Sequence, residues 1–272
     1  MKTKLIKLVL FVVAFVAVAC NPKECRTPFF VQISDPQLGF ITESEDFSPE
    51  QSNMELIASE VNSLKPDFVV FTGDYIQDCT NQDALDGFLK MKKLFNPEIP
   101  LYFVPGNHDV GVATPEDVAA FVSRYGHDRF VFEGENYTAI GYNSCIIKAK
   151  AAGEPAEYEW LKESLKRASE RALPIILAAH HPIFVETPDE ADAGVNIPFE
   201  LREKYLSLAK EYGVDLILSG HLHHCVRAEW NGIKLSTSGA AGRPLGDEGS
   251  GFTIVTIDNG VPTATFHEIE KL

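Results

Sequence analysis

Five short polar clusters interrupt the apolar runs of this 272-residue chain: Asp35-Pro-Gln37, Gly73-Asp74, Gly106-Asn-His-Asp109, His180-His181 and Gly220-His-Leu-His223. They offer carboxylates, side-chain amides and imidazoles, groups able to bind a cation or move a proton. Each has an ordinary reading as well. Asp-Pro opens turns, Pro-Gly and Asn favour reversal, Asp and Asn cap helices, and histidines at alternate positions can share one face of a strand. The run Leu101–Val104 poses the choice most sharply. It passes directly into Gly106-Asn-His-Asp109, a turn that either reverses the chain or delivers ligands and a proton donor to a shared site.

The elements around the clusters favour the shared site. Residues 29–34, 67–72, 101–104, 175–179 and 214–219 read as buried strands, and each ends in one of the five clusters. Ligands of open α/β sheets collect at the carboxyl ends of strands, so the clusters converge on one rim. A helix is expected over 48–64, with Ser48-Pro-Glu-Gln51 as its capping box and Pro66 beyond its end. Further helices are expected over 84–94, from Thr114-Pro115 onward, over 157–171 and over 199–211, the last stopped by Gly213. Residues 137–142 form another strand. From Cys225 the helices cease, and strands over 226–230, 233–236, 252–257 and 263–268 follow, with Asn231-Gly232 and Asn259-Gly260 as hairpin turns. The fold class is α/β: two facing mixed sheets with helices outside, a four-layer αββα sandwich.

Residues 1–19 read as a secretory leader, with Lys2, Lys4 and Lys7 before an apolar run too short to span a bilayer. Ala17-Val-Ala-Cys20 resembles a bacterial lipobox with Ala where Leu is usual, which makes the expected product a lipoprotein of the cell envelope, periplasmic or on the outer-membrane surface. Contact with the membrane is expected through the lipid anchor only. A tether over 20–27 leads to one domain over 28–272, expected to be monomeric. Cys25, Cys79, Cys145 and Cys225 would lie where disulfides are permitted; their wide spacing forms no zinc knuckle, and buried free thiols are expected. The formal charge is −15, and loss of the leader's three lysines makes it more negative still. Such a surface repels phosphate backbones, which argues against nucleic acid as a partner.

Taken in order, the clusters resemble the motifs of the calcineurin-like metallophosphoesterase superfamily: Asp-x-His, Gly-Asp, Gly-Asn-His-Asp/Glu, His and Gly-His-x-His. The resemblance spans about residues 30–267. Asp35-Pro-Gln-Leu-Gly39 and Thr237-Ser-Gly-Ala-Ala-Gly-Arg-Pro-Leu-Gly246 look most like the branch of calcineurin-like phosphoesterase domain-containing protein 1, which includes a protein phosphatase. The resemblance implies a dinuclear metal site at the strand carboxyl ends. One ion would be held by Asp35, Gln37, Asp74 and His223, and the other by Asp74, Asn107, His180 and His221, with Asp74 as the bridge. His108 would be the general acid for the leaving group, Asp109 would orient it, and His181 would stand outside the ligand shell. Carboxylate, amide and imidazole donors suit Mn, Fe or Zn, with Mg admissible. Gln37 stands where most of the superfamily has His, and its weaker, harder oxygen favours Mn or Mg at that ion.

The implied activity is hydrolysis of phosphate esters, a phosphorylated small molecule or phosphopeptide, by a hydroxide activated between two divalent ions. Arg243 is a candidate phosphate fork, and Asn143 a candidate rim residue. Residues 182–198, with Glu186, Asp189, Glu190 and Asp192, are expected to overhang the ions and disfavour polyanionic substrates. The alternatives are a small phosphodiesterase of the same superfamily and a surface-anchored protein that binds a phosphorylated ligand without turnover.

Overall fold

Side chains alternate along each apolar run, so the central strands have one face for a shared interior and one for an outer layer of helices. The computed structural model describes residues 26–42 and 46–270. The leader, Cys20, Cys25 and most of the tether lie outside the described residues. No helix among the described residues is long and apolar enough to cross a membrane.

In chain order the elements are β1 (Phe29–Ile33), α1 (Ser48–Leu64), β2 (Val69–Thr72), α2 (Gln82–Met91), β3 (Leu101–Val104), α3 (Asn107–Val110), α4 (Pro115–Tyr125), β4 (Phe130–Glu133), β5 (Thr138–Gly141), α5 (Ser144–Lys148), α6 (Glu154–Ser169), β6 (Ile175–Ala178), α7 (Phe199–Glu211), β7 (Val214–Ser219), β8 (Val226–Trp230), β9 (Ile233–Thr237), β10 (Gly251–Asp258) and β11 (Val261–Glu268). A 3-10 turn, Lys92–Leu94, continues α2. One sheet has the order β11-β10-β1-β2-β3 and the other β4-β5-β6-β7-β9-β8. Strands β1, β2 and β3 run parallel in the first, and β5, β6, β7 and β9 in the second.

Alternation sorts the apolar residues into three clusters. Phe30, Phe68, Val70, Val104, Ile176 and Leu218 pack between the sheets. Val31, Ile33 and Phe71, on the opposite face, pack beneath Met54, Ile57 and Val61 of α1 and Phe88 of α2. Leu177 and Ile217 pack beneath Leu161 and Leu165 of α6 and Leu206 of α7. Rings of Phe30 and Phe68, side by side on the first sheet, stack at 4.5 Å within that interior. The expected αββα sandwich is the observed fold, and it fixes the strand ends that carry the clusters.

The differences from expectation have local causes. Phe47, not Ser48, caps α1, and no side chain caps it; Ser48 donates instead to Asp46 through its main-chain N and its hydroxyl (2.9 and 2.8 Å). Helix α6 begins three residues early because Pro155 fits its first turn, where no N–H is required. Strand β4 was not expected; it is a four-residue antiparallel partner of β5. Both Asn-Gly pairs form their hairpins, with φ of 49° and 87° at Asn231 and Gly232 and 49° and 78° at Asn259 and Gly260. Cys79, Cys145 and Cys225 are free thiols, and Cys145 is buried.

Candidate metal centre

The five clusters occupy the loops that leave β1, β2, β3, β6 and β7. Asp35, Gln37, Asp74, His221 and His223 all have left-handed backbone, with φ between 38° and 72°. Non-glycine residues adopt this region rarely, at a cost of order 1–3 kcal/mol each, and such strain gathers at functional sites. The loops also touch at their glycines. A Cβ on Gly106 would run into the Asp74 carboxylate, and one on Gly220 into the Ser34 hydroxyl.

Three imidazoles are fixed in the same way. Nδ1 of His180 donates to the Thr72 carbonyl (2.8 Å), Nδ1 of His223 to the Arg243 carbonyl (2.6 Å) and Nδ1 of His108 to the Gln77 carbonyl (2.7 Å). A carbonyl only accepts, so Nδ1 carries a proton and Nε2 is the nitrogen left for another partner, the orientation typical of a metal-binding histidine. Around Nε2 of His180 stand His221 Nδ1 at 3.0 Å, Asn107 Oδ1 at 3.1 Å and Asp74 Oδ2 at 3.3 Å. Nε2 of His223 lies 3.5 Å from Asp35 Oδ1. That carboxylate oxygen and Oε1 of Gln37 are buried without a hydrogen-bond partner. Potential ligand atoms thus converge on one another, two buried oxygens among them without a partner, and an uncompensated arrangement of this kind is costly. Cations relieve it.

The charge balance expresses the same demand. Burial disfavours charge on Asp74, but His180, by its charge and hydrogen bond, and His108 bring its carboxyl down to about 2. Burial likewise opposes a charged His180, yet Asp74 and Asp35 raise its imidazole to about 9, so that without a cation a second proton, on Nε2, stands where a metal would bind. His221 is pushed down to about 3 by burial and then by His180. His181 goes well below its ordinary range for the same two reasons, with His221 adding to them. Asp35, Asp74 and His180 form one compact set of potential ligand atoms, and His180, His181 and His221 another, each with its atoms within 4.8 Å. The mixture of two carboxylates, two amides and three imidazoles fits two ions of the Mn, Fe or Zn type.

All seven expected ligands therefore sit on one rim, but several other expectations change. Asp109 does not touch His108. Its carboxylate accepts from the main-chain N–H groups of Asp74 (2.7 Å), Gly106 (2.8 Å) and Tyr75 (3.0 Å), and it braces two loops against each other. Burial and Asp74 push this carboxyl up to about 8, against the pull of those donors. Asn143 does not line the rim: it is fully buried, caps α5 through Cys145 and Ile146, and donates to Asp128 (3.1 Å). Within 182–198, Glu190 accepts from Val185, Glu186 and Thr187, and Asp192 pairs with buried Arg202 (3.0 Å). Half of the expected acidic overhang is thereby used to hold its own loop. The Arg243 guanidinium lies 5.3 Å over the Phe40 ring, whose edge meets His223 at 5.3 Å.

Two residues escaped the sequence reading. Gln77 holds His108 through its carbonyl and Gln37 through its side chain (2.9 Å). The Ser144 hydroxyl accepts from the main-chain N–H groups of His180 (3.2 Å) and His181 (2.9 Å) and lies 3.2 Å from His181 Nδ1. Both residues lie just past a motif or strand, where a Gln or Ser carries no distinguishing signal.

Comparison with known proteins supplies the family. The profile of the family described as calcineurin-like phosphoesterase matches residues 30–225. The serine/threonine-protein phosphatase CPPED1 of Danio rerio is 30% identical over 272 residues, covering 92% of this chain and 88% of its own. A probable glycerophosphodiester phosphodiesterase, GpdQ of Arcobacter nitrofigilis, is 30% identical over 188 residues, covering 65% of each chain. The crystal structure of a dimetal phosphatase from Danio rerio shares the fold, with a TM-score of 0.69 at 13% identity over 90% of this chain and 97% of that one. Family profile and full-length relative together place this chain among the calcineurin-like phosphoesterases, metal-dependent hydrolases of phosphate esters.

Proposed function

We propose that the chain is a phosphatase acting on phosphomonoesters, foremost the phosphoserine and phosphothreonine of peptides. One ion would be held by Asp35, Gln37, Asp74 and His223, and a second by Asp74, Asn107, His180 and His221. The observation that carries this is the convergence of imidazole Nε2 atoms, left for another partner by the carbonyls on Nδ1, with the partnerless oxygens of Asp35 and Gln37 on the rim. When bound, two divalent ions would neutralise a phosphoryl group and supply an activated water-derived nucleophile.

The chain's own residues supply the rest. His108, half-buried, keeps Nδ1 on the Gln77 carbonyl and has Nε2 to carry the proton that the departing oxygen needs. Its main-chain N–H donates to Asp74 Oδ1 (2.9 Å), so the acid is tied to the bridging carboxylate. Asp109 keeps the Gly106 and Asp74 loops in register. The monoester preference is supported by the phosphatase relative that spans nearly the whole chain. A second reading, a small phosphodiesterase, is favoured by the likeness to GpdQ.

Hydrolysis of p-nitrophenyl phosphate, bis-p-nitrophenyl phosphate and a phosphoserine peptide, after chelation and reloading with Mn, Fe, Zn or Mg, separates these readings. Faster turnover of the monoesters is expected. Faster diester turnover transfers the proposal to the second reading, and no turnover with any metal sinks both. Export and anchoring through Cys20 belong to the same proposal: Cys20→Ala is expected to release the protein from membranes, and retained association refutes the anchor.

A further inference from the structure

Gln77 belongs to no motif, yet it serves two functional residues through different atoms. Its carbonyl accepts from His108 Nδ1 (2.7 Å), and its side-chain Oε1 accepts from Gln37 Nε2 (2.9 Å). The pairing is built into the backbone. Residues Leu38 and Ile76 form a parallel bridge, with Gln37 N donating to Asp74 O (2.9 Å), Leu38 N to Tyr75 O (3.2 Å) and Gln77 N to Leu38 O (2.9 Å).

An amide presents oxygen and NH2 at equal reach, and its own bonding does not choose which faces a cation. Two histidines of this rim, His180 and His223, have the nitrogen they offer selected by a carbonyl on Nδ1. An amide needs the complementary device, an acceptor for its NH2. Oε1 of Gln77 is that acceptor, and it leaves Oε1 of Gln37 as the buried atom without a protein partner. NH2 turned inward would instead set a donor against the ions, so the choice decides whether Gln37 can bind at all.

We infer that Gln77 is a positioning residue that turns the amide oxygen of Gln37 toward the metal centre, while its main chain separately orients His108. The inference rests on the reading of Gln37 as a ligand. Because the two tasks use different atoms, a side-chain substitution divides them.

Titration of the metal-free full chain with Mn(II), followed by the electron paramagnetic resonance of the free ion, reads affinity without turnover. Gln77→Leu is expected to weaken one of two equivalents by roughly 10- to 100-fold, the usual cost of losing a ligand's partner. Gln77→Glu, which still accepts from Nε2, should restore most of that affinity. In a Gln37→Ala background Gln77→Leu should add nothing, since the group it positions is gone. The ratio of aryl to alkyl phosphate turnover, governed by His108, should stay unchanged in Gln77→Leu. Undiminished Mn(II) affinity in Gln77→Leu, equal weakening in Gln77→Glu, or additive losses in the double variant would each overturn the inference. If Gln37→Ala itself binds both equivalents normally, the ligand reading fails; if it weakens binding and Gln77→Leu does not, only the role of Gln77 fails.

Discussion

The two sheets bring unlike chemistry to the rim: the loops after β1, β2 and β3 carry every oxygen donor of the proposed centre, Asp35, Gln37, Asp74 and Asn107, while those after β6 and β7 carry every nitrogen donor, His180, His221 and His223. Left-handed backbone occurs in both halves, but the oxygen half is further held by side chains such as Asp109 and Gln77 that tie loop to loop. In the nitrogen half the rings of His180 and His223 are held by carbonyls, one of them Thr72 of the opposite sheet. Neither half closes a site alone. The oxygen half lacks imidazole donors and the nitrogen half lacks negative charge, so the proposed centre requires the rim where the sheets face each other.

The largest test of this division removes the group that would serve both ions. Asp74→Asn keeps shape and loses charge, and at least one ion should be lost, with activity falling by more than the roughly 100-fold that outer partners cost. Unchanged metal content by elemental analysis, with unchanged turnover, would refute the bridge. Next, His108→Ala should leave both ions bound and slow turnover by roughly 10²- to 10⁴-fold. The loss should be greater for an alkyl or seryl phosphate than for an aryl phosphate, whose leaving group departs without a proton. Equal losses with metal content reduced in parallel would falsify the acid role and leave His108 as part of a ligand turn.

Chelation tests whether cations reconcile the halves. At free Mn(II) about 100-fold above its dissociation constant, the metal should stabilise the fold by about 2.7 kcal/mol, read as a higher unfolding midpoint. Identical midpoints with and without metal would mean that the facing ligand atoms need no cation. Gln37→His then moves one donor from the oxygen to the nitrogen class, and preference at that ion should shift toward Zn over Mn by about tenfold. Competition between the two metals measures it, and an unchanged ratio would show that donor class at position 37 does not set selectivity.

The smallest effect concerns the support beneath the nitrogen half. Glu157, buried in α6, accepts from Asn143 N (2.8 Å) and pairs with Arg129 (2.9 Å), and Asn143 caps the helix that carries Ser144. Burial outweighs these partners and raises its carboxyl from 4.5 to about 7. The folded state therefore keeps a proton that the unfolded chain has released, and stability should fall as pH rises from about 4.5 to 7, by up to roughly 3 kcal/mol. Denaturant unfolding of metal-free protein against pH should show this slope reduced in Glu157→Gln. Parallel curves for the two proteins would remove Glu157 from the account.

How much was legible in the chain depends on how local each signal is. Strands Leu101–Val104 and Val214–Ser219 and helix Phe199–Glu211 were readable to the residue, because periodicity and flanking turn residues lie within the element itself. The Asn-Gly hairpins were legible for the same reason. Strand β4 was not, because only its pairing with β5 makes four residues a strand. The cap of α1 misled, since Ser48-Pro-Glu-Gln51 fits a capping box while Asp46 competes for the Ser48 hydroxyl.

By itself the sequence determined the αββα architecture and the rim where the clusters meet, since the succession of strands and helices and the polar turns that end the strands are written in residue types. Which atom each side chain presents was decided only by the tertiary structure. Asp109 looks like the partner of its neighbour His108 but spends its carboxylate on the main chain of Gly106, Asp74 and Tyr75. Asn143 and Glu190 look like rim residues but satisfy buried backbone instead. Gln77 and Ser144, silent in the sequence, hold the groups on which the proposed chemistry depends. A hydrogen bond is directional and short, and its partner here arrives from 31 to 40 residues away, as Gln77 does for His108 and for Gln37. No local pattern encodes that meeting; it exists only once β1, β2 and β3 have paired in one sheet and the loops at their ends have come within 3 Å of each other.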